Sequence, residues 1–482
     1  MRILENLGPE AVMRYFEELC AIPHGSGNTD GIADYCERFA VEHSLDYTRD
    51  EHNNIIIRKP KTEDCDSGET VIIQGHLDMV CTKTSDCDID LEREGLRLRT
   101  DGEMVWADGT TLGGDDGIAV AMALAVLDSR DLVHPELECL FTVDEEIGML
   151  GAAALDADLL KGRMLLNIDS EEEGIFTVSC AGGAVIDGCL PITRCSADRA
   201  VSGRTYRITV SGLAGGHSGT EIDKGRENAC IMLGKLLSEL DTRTAYELIS
   251  IDGGEKDNAI PRSADAVVEA EAQSGFEQVL DGLAEEYAMR FGLTETGLRI
   301  EFSECGTERQ PMYASSKTAV LNALASIPNG VQSMSAEIKD LVETSCNMGI
   351  IRTDEIGVKL TVSVRSSSGS EKRALIDRIG LAVTGSGGSF SVSGEYPAWE
   401  YKKHSRLREL AAEAYVKQYG SEPVISAIHA GLECGIFCGK LPELDCISFG
   451  PNIYDIHTPK ERLDIGSVAR VYSFLTELLS MI

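Results

Sequence analysis

Val71-Ile72-Ile73-Gln74-Gly75-His76-Leu77-Asp78 is the stretch on which the fold turns. Its short apolar run reads as a buried strand, and comparable runs stand at Asn54–Ile57, Leu137–Val143 and Met164–Ile168. Runs of this kind, set between helical patterns, indicate a sheet with much parallel pairing. The helical patterns are Pro9 to Cys20, with proline in the first turn, Gly31 to His43, and Asp116 to Leu127. The last carries Ile118, Ala119, Val120, Met122, Leu124 and Val126, apolar enough to lie against the sheet. Near the other end the texture returns: Leu407 to Tyr419 and Ile465 to Leu479 read as helices, Val424–Ile428 and Cys446–Phe449 as strands. Residues 1–186 and 401–482 are therefore expected to build one α/β domain.

Between 187 and 400 the pattern changes. Thr205-Tyr206-Arg207-Ile208-Thr209-Val210 alternates polar and apolar, the mark of an antiparallel sheet with one covered face. Asn258-Ala259-Ile260-Pro261-Arg262 stands before a strand (264–272) and a helix (276–290). Asn347-Met348-Gly349-Ile350-Ile351-Arg352 stands before a strand (358–365) and a helix (371–383). This short internal match suggests an inserted α+β domain of two related units.

The chain has 482 residues, room for two large domains or three ordinary ones, with 43% hydrophobic and 26% charged residues. A formal net charge of −36 repels polyphosphate and anionic lipid, which argues against nucleic-acid and membrane-surface roles. No run approaches the ~20 apolar residues that span a bilayer, and Glu5 falls where a signal peptide would begin its apolar core. Fifteen cysteines, without a Cys-x-x-Cys, point to reduced thiols and a cytoplasmic location.

Five segments carry the chemistry. His76 and Asp78 share a face at the end of a strand, where a carboxylate can orient a metal-binding imidazole. Asp115 closes the glycine-rich Asp108–Gly114 stretch ahead of the apolar helix; alone it would read as a cap. Asp144-Glu145-Glu146 crowd the end of an apolar run, which is unfavourable without a cation nearby. Asp169 ends a fourth run, and His457 stands in the loop Pro451 to Pro459. Two histidines, two aspartates and a glutamate suit a pair of Zn²⁺ or similar ions. Three ligand carboxylates and one basic carboxylate balance the charge of two such ions, a centre able to activate water and polarise an amide carbonyl.

The set His76-Leu77-Asp78, Gly113-Gly114-Asp115, Glu145-Glu146, Asp169 and His457 resembles that of the co-catalytic dizinc metallopeptidases, the family of carnosinases, carboxypeptidase G and aminoacylases. The wider context, Gln74 to Val80, Asp108 to Gly113 and Ala427 to Glu433, resembles its aminoacyl-histidine dipeptidase branch, and the likeness runs along essentially the whole chain. Asp116 departs from it, since asparagine is expected there at least as often. The resemblance implies a catalytic domain with a mixed, mainly parallel sheet sandwiched by helices, and an inserted lid domain. It implies that His76 and Asp169 bind one metal, Glu146 and His457 the other, and that Asp115 bridges. Glu145 would be the general base acting through a bridging hydroxide, and Asp78 would orient His76. In the lid, His217 would stabilise the oxyanion, Arg365 would hold the substrate's carboxylate and Asn258 would touch its carbonyl. Gly431 and Glu433 would line the pocket, with Glu433 near the free amine.

The expected activity is hydrolysis of unblocked dipeptides, Xaa-His among them, with two zinc ions for which cobalt or manganese can substitute. The competing expectation is an N-acyl amino acid or diaminopimelate-type deacylase with the same centre; a scaffold protein would require a lost ligand or base, and none is lost. A homodimer is left open, with His217 acting in cis or in trans.

Overall fold

The computed structural model describes residues 2–196, 203–271, 275–307 and 309–482. They form two compact units. Met1–Ser179, Tyr401–Ala427 and Leu432–Ile482 make the first, and Cys180–Glu400 with Ile428–Gly431 the second.

The first unit is built on an eight-stranded sheet in the order Asp46–Arg49, Ile55–Lys59, Glu136–Thr142, Thr70–His76, Met164–Asn167, Asp445–Ser448, Ile175–Cys180, Val424–Ile428. Its middle four strands are parallel, and their buried Val, Ile and Leu side chains account for the apolar runs. Antiparallel pairing lies on the flanks. Asp46–Arg49 and Ile55–Lys59 are joined by a tight turn, which needs no crossover helix, and Ile55–Lys59 runs antiparallel to Glu136–Thr142.

The helix Gly114–Asp128 is apolar on every side, with each residue from 117 to 127 buried between the sheet and other helices. Gly75 makes its close approach feasible. A Cβ there would lie 2.5 Å from Asp116 Oδ2 and 2.8 Å from Ala119 Cβ. Gly75→Ala is therefore expected to destabilise the protein by about 1–3 kcal/mol through overpacking, read as a lower midpoint in urea. An unchanged midpoint would mean that helix and strand separate at no cost. At the other end of the sheet the terminal helix Ile465–Met481 brings Phe474 onto Phe176 and Phe449, with ring centroids 5.3 and 5.0 Å apart.

In the second unit a nine-stranded sheet runs Arg299–Glu304, Gly203–Ser211, Ala264–Glu271, Glu247–Gly253, Val342–Thr353, Gly357–Ser366, Gly182–Pro191, Ser389–Tyr396, with Gly330–Met334 paired onto Val342–Thr353. Neighbours are antiparallel, and Tyr206, Ile208 and Val210 alternate inward as the pattern of that strand predicts. Helices Ala229–Arg243, Phe276–Phe291, Ala314–Ser326 and Gly369–Gly385 join the sheet in one hydrophobic core.

The two matched segments lie together, Asn347 Nδ2 donating to the carbonyls of Asp257 (3.3 Å) and Ala259 (2.9 Å). Their local structures differ, because Asn347 is inside a long strand while Asn258 precedes the two-residue strand Ala259–Ile260. The expected strand from 264 ends at Glu271, and Ala272 lies outside the described residues. Among the described residues no helix is long and apolar enough to cross a membrane, and all the cysteines are free thiols.

Candidate metal centre

Parallel register places three strand ends side by side: His76 stands opposite Thr142 and Gln74 opposite Asn167. The residues just beyond those ends, Asp144-Glu145-Glu146 and Asp169, therefore emerge at the edge that carries His76. Asp115 arrives from the kinked entry to the buried helix, where its own backbone is non-helical (φ −84°, ψ 104°). His457 comes from the loop between strands Ile453–Tyr454 and Arg462–Asp464; the latter pairs with Met104–Ala107, which leads into the glycine-rich stretch.

Asp115 stands between the two histidines. Its Oδ1 lies 3.2 Å from His76 Nε2 and its Oδ2 3.1 Å from His457 Nε2. Around these contacts the donors separate into two groups. Asp169 Oδ1 is 3.7 Å from His76 Nε2, and Glu146 Oε1 is 2.9 Å from His457 Nε2. Glu145 joins His76 and Glu146 in a set whose donor atoms all lie within 4.8 Å of one another. Asp116, although also near His76 and Asp169, directs its Oδ2 to the His76 backbone N–H at 3.2 Å.

The electrostatics follow from crowding carboxylates where water is scarce. Burial pushes Glu145 up to about 8, with the carboxylates of Glu433, Glu146 and Asp115 adding to the rise. Burial and then Asp116 raise Asp169 well above the usual range. Burial also acts to raise Asp115, but the two imidazoles outweigh it and hold that carboxyl well below its ordinary value. Hydrogen bonds to Asp115 and Glu146 take His457 up to about 10. Imidazole nitrogens and carboxylate oxygens in two groups joined by one carboxylate are the donor set that divalent cations take, and the surplus negative charge is what such ions would neutralise. The residues present therefore fit a pair of divalent ions.

Asp78 has a wider part in this geometry than orienting a ring. The nearest acceptor for His76 Nδ1 is the Asp78 backbone carbonyl at 2.9 Å, with carboxylate Oδ1 at 3.5 Å. That carboxylate also accepts from the N–H of Glu145 (3.0 Å), the N–H of Glu146 (3.3 Å) and Ser26 Oγ (2.8 Å), and so ties the Glu145 loop to the His76 strand.

One rung below lies a buried polar layer. Glu433 Oε2 accepts from Gln74 Nε2 (2.5 Å) and Thr142 Oγ1 (2.7 Å), and Gln74 Oε1 accepts from Asn167 Nδ2 (2.6 Å). Glu433 Oε1, also buried, has no hydrogen-bond partner among the described residues.

The remaining sequence candidates belong to the second unit. His217 ends the short strand Gly216–His217, paired with Ala259–Ile260 next to the exposed Asn258, and its Nδ1 accepts from the N–H groups of Gly219 and Thr220. Arg365 is the penultimate residue of its strand; it donates from Nη1 to Tyr396 Oη at 3.1 Å, and its buried Nε has no hydrogen-bond partner among the described residues. Its charge, after burial, is a cause of the lowered pKa of His217, so the two lie within electrostatic reach. Half-buried Gly431 follows His429, whose Nε2 meets Ser345 Oγ at 2.7 Å. Sequence reasoning missed Ser26, the Gln74–Thr142–Asn167 layer and Glu461. None has a local signal, since each reads as an ordinary polar residue until its partner is placed beside it.

The model of peptidase family M20/M25/M40 matches residues 72–481. The chain is 36% identical, over all of its own length and 99% of the relative's, to the cytosol non-specific dipeptidase of Escherichia coli. The crystal structure of aminoacylhistidine dipeptidase from Vibrio alginolyticus superposes with a TM-score of 0.92 at 36% identity, covering 99% of this chain and 98% of that one. Aminopeptidase PepT from Bacillus cereus shares the fold, with a TM-score of 0.57 at 14% identity over 98% of this chain and 99% of its own.

Proposed function

The chain belongs to peptidase family M20/M25/M40 and is a hydrolytic enzyme of the dipeptidase kind; on that premise we propose that it cleaves unblocked dipeptides, Xaa-His among them, at the centre around Asp115. The observation that carries this reading is the placement of Asp115 between His76 and His457, one oxygen to each imidazole, with Glu145 alongside. His76 and Asp169 would hold one divalent ion, Glu146 and His457 the other, and Asp115 both. Zinc, cobalt or manganese, when bound there, would supply Lewis-acid polarisation of the peptide carbonyl and lower the pKa of water.

The protein's own part is proton transfer and positioning. Glu145 takes the proton of the attacking water on a carboxylate oxygen and returns it to the departing amine nitrogen. Asp78 holds both the His76 ring and the Glu145 backbone, which keeps base and ligands in one frame. Arg365, whose buried Nε has no partner among the described residues, is suited to pair with the substrate's terminal carboxylate, and His217 and Asn258 to contact the carbonyl as it becomes an oxyanion. Gly431 is assigned to the pocket wall. The unpartnered Oε1 of Glu433 supports its assignment to the substrate's free amine.

The experiment is a panel of Xaa-His, Gly-Gly and N-acetyl dipeptides, assayed as purified, after EDTA, and after return of Zn²⁺ or Mn²⁺. Cleavage of the unblocked dipeptides alone, abolished by EDTA and restored by metal, is expected. Turnover confined to N-acetyl substrates would transfer the chain to the deacylases, and turnover indifferent to EDTA would remove the metal from the scheme.

A further inference from the structure

Glu461 lies four residues beyond His457 in Thr458-Pro459-Lys460-Glu461, where an acidic residue beside a lysine reads as surface charge. In the structure it is 3% exposed. Its Oε2 accepts from the backbone N–H groups of Leu112 (2.8 Å) and Gly113 (3.3 Å), and its Oε1 from those of Gly114 (2.7 Å) and Asp115 (3.4 Å). One buried carboxylate thus collects four consecutive amides of the stretch that presents Asp115. Those amides lie at the kinked entry to the helix Gly114–Asp128, where Asp115 and Asp116 are non-helical (ψ 104° and 25°) and the N-cap Gly113 is left-handed (φ 67°) and supplies no side-chain acceptor. The turn that presents Asp115 is held instead from the segment that carries the other histidine.

That connection has a second strand to it. The loop bearing His457 and Glu461 is closed by the pairing of Ile453–Tyr454 with Arg462–Asp464, and Arg462–Asp464 pairs with Met104–Ala107 just before the glycine-rich stretch. Glu461 therefore fixes the backbone under Asp115 relative to the backbone under His457. A carboxylate is the one side chain that can do this, since all four partners are donors and only Glu or Asp offers two acceptor oxygens without a donor.

We propose that Glu461 is a positioning residue of the metal centre: it sets Asp115 against His457, so that the shared carboxylate meets the second group of donors as well as the first. The proposal rests on the reading of Asp115 as the ligand common to both ions. A simple helix cap predicts lost stability and nothing more, whereas a positioning residue also predicts weakened metal binding in a folded chain.

The test uses the full-length chain and its Glu461→Gln and Glu461→Ala variants, with Zn²⁺ affinity measured by competition against a chelator, kcat and KM measured separately, and amide hydrogen exchange followed at residues 112–115. Gln keeps the size of Glu but turns a donor NH₂ toward two amide donors, so it should fail nearly as badly as Ala. We expect circular dichroism like the wild type, a ~10–100-fold loss of Zn²⁺ affinity in the range typical of outer-shell partners, lower kcat with KM within about twofold, and faster exchange at 112–115. Asn228→Ala, which removes the side-chain N-cap of the helix Ala229–Arg243, should lower the unfolding midpoint and leave Zn²⁺ affinity alone. Folded Glu461→Gln with wild-type Zn²⁺ affinity and kcat overturns the proposal. So does exchange at 112–115 in the wild type as fast as in an exposed loop, a measurement that stands even where a variant fails to fold. A wild-type chain that binds no divalent ion overturns the reading beneath it instead.

Discussion

Glu145→Gln is expected to bind divalent metal with wild-type stoichiometry and to hydrolyse an unblocked dipeptide about 10²–10⁴-fold more slowly, the range that a positioned acid–base group contributes. Glutamine has nearly the shape of glutamate but cannot take up a proton from water. The loop should stay in place, because it is the backbone N–H groups of Glu145 and Glu146 that bind Asp78, at 3.0 and 3.3 Å. The two imidazoles also keep their own contacts with Asp115. The loss should therefore fall on kcat, with KM little changed, as for a group that acts only in the transition state. Metal content by atomic absorption and steady-state kinetics on the same preparation decide the matter. A variant within tenfold of wild type would remove Glu145 as the base, and a variant stripped of metal would make it a ligand.

Asp115→Ala should cost more than the ~10–100-fold in metal affinity that loss of an outer-shell partner costs, and it should do so at both sites. The reason is geometric. The two oxygens of this one carboxylate face His76 Nε2 and His457 Nε2 at 3.2 and 3.1 Å, so its removal takes a donor from each group. His457→Ala is the contrast: His457 approaches only Asp115 and Glu146 among the candidate ligands, so one ion should weaken and the other remain. Isothermal titration with Zn²⁺ should give two weakened sites for the first variant and one for the second. Two wild-type sites in Asp115→Ala would rule out a shared carboxylate, and identical isotherms for the variants would rule out two separate groups. Activity should be undetectable in Asp115→Ala.

Much of this centre is legible in the chain because it stands at strand ends. The apolar run before His76, the one before Asp144 and the one before Asp169 each announce a buried strand, and a polar residue that ends such a run must emerge at the sheet's edge. The helix behind them shows itself through its unbroken apolar surface. The antiparallel flanks are less visible, since a buried strand has the same composition whichever way its neighbour points.

The supporting residues are not visible at all. Glu433 and Gln74 are separated by 359 positions, and Glu461 and Leu112 by 349, so no local pattern connects them. Glu461 shows the difference best: beside Lys460 it has the composition of a solvated turn, and its burial is decided by a hairpin pairing onto Met104–Ala107.

By itself the sequence indicated the central strands, the buried helix and the sheet edge at which the candidate ligands gather, because side-chain polarity and period are local properties of the chain. Only the tertiary structure decided that one carboxylate stands between two histidines and that a second, buried, carboxylate carries its backbone. Those facts depend on hydrogen bonds a few ångströms long between segments 39 to 349 residues apart, and their distances exist only once the eight-stranded sheet has formed and Arg462–Asp464 has paired with Met104–Ala107.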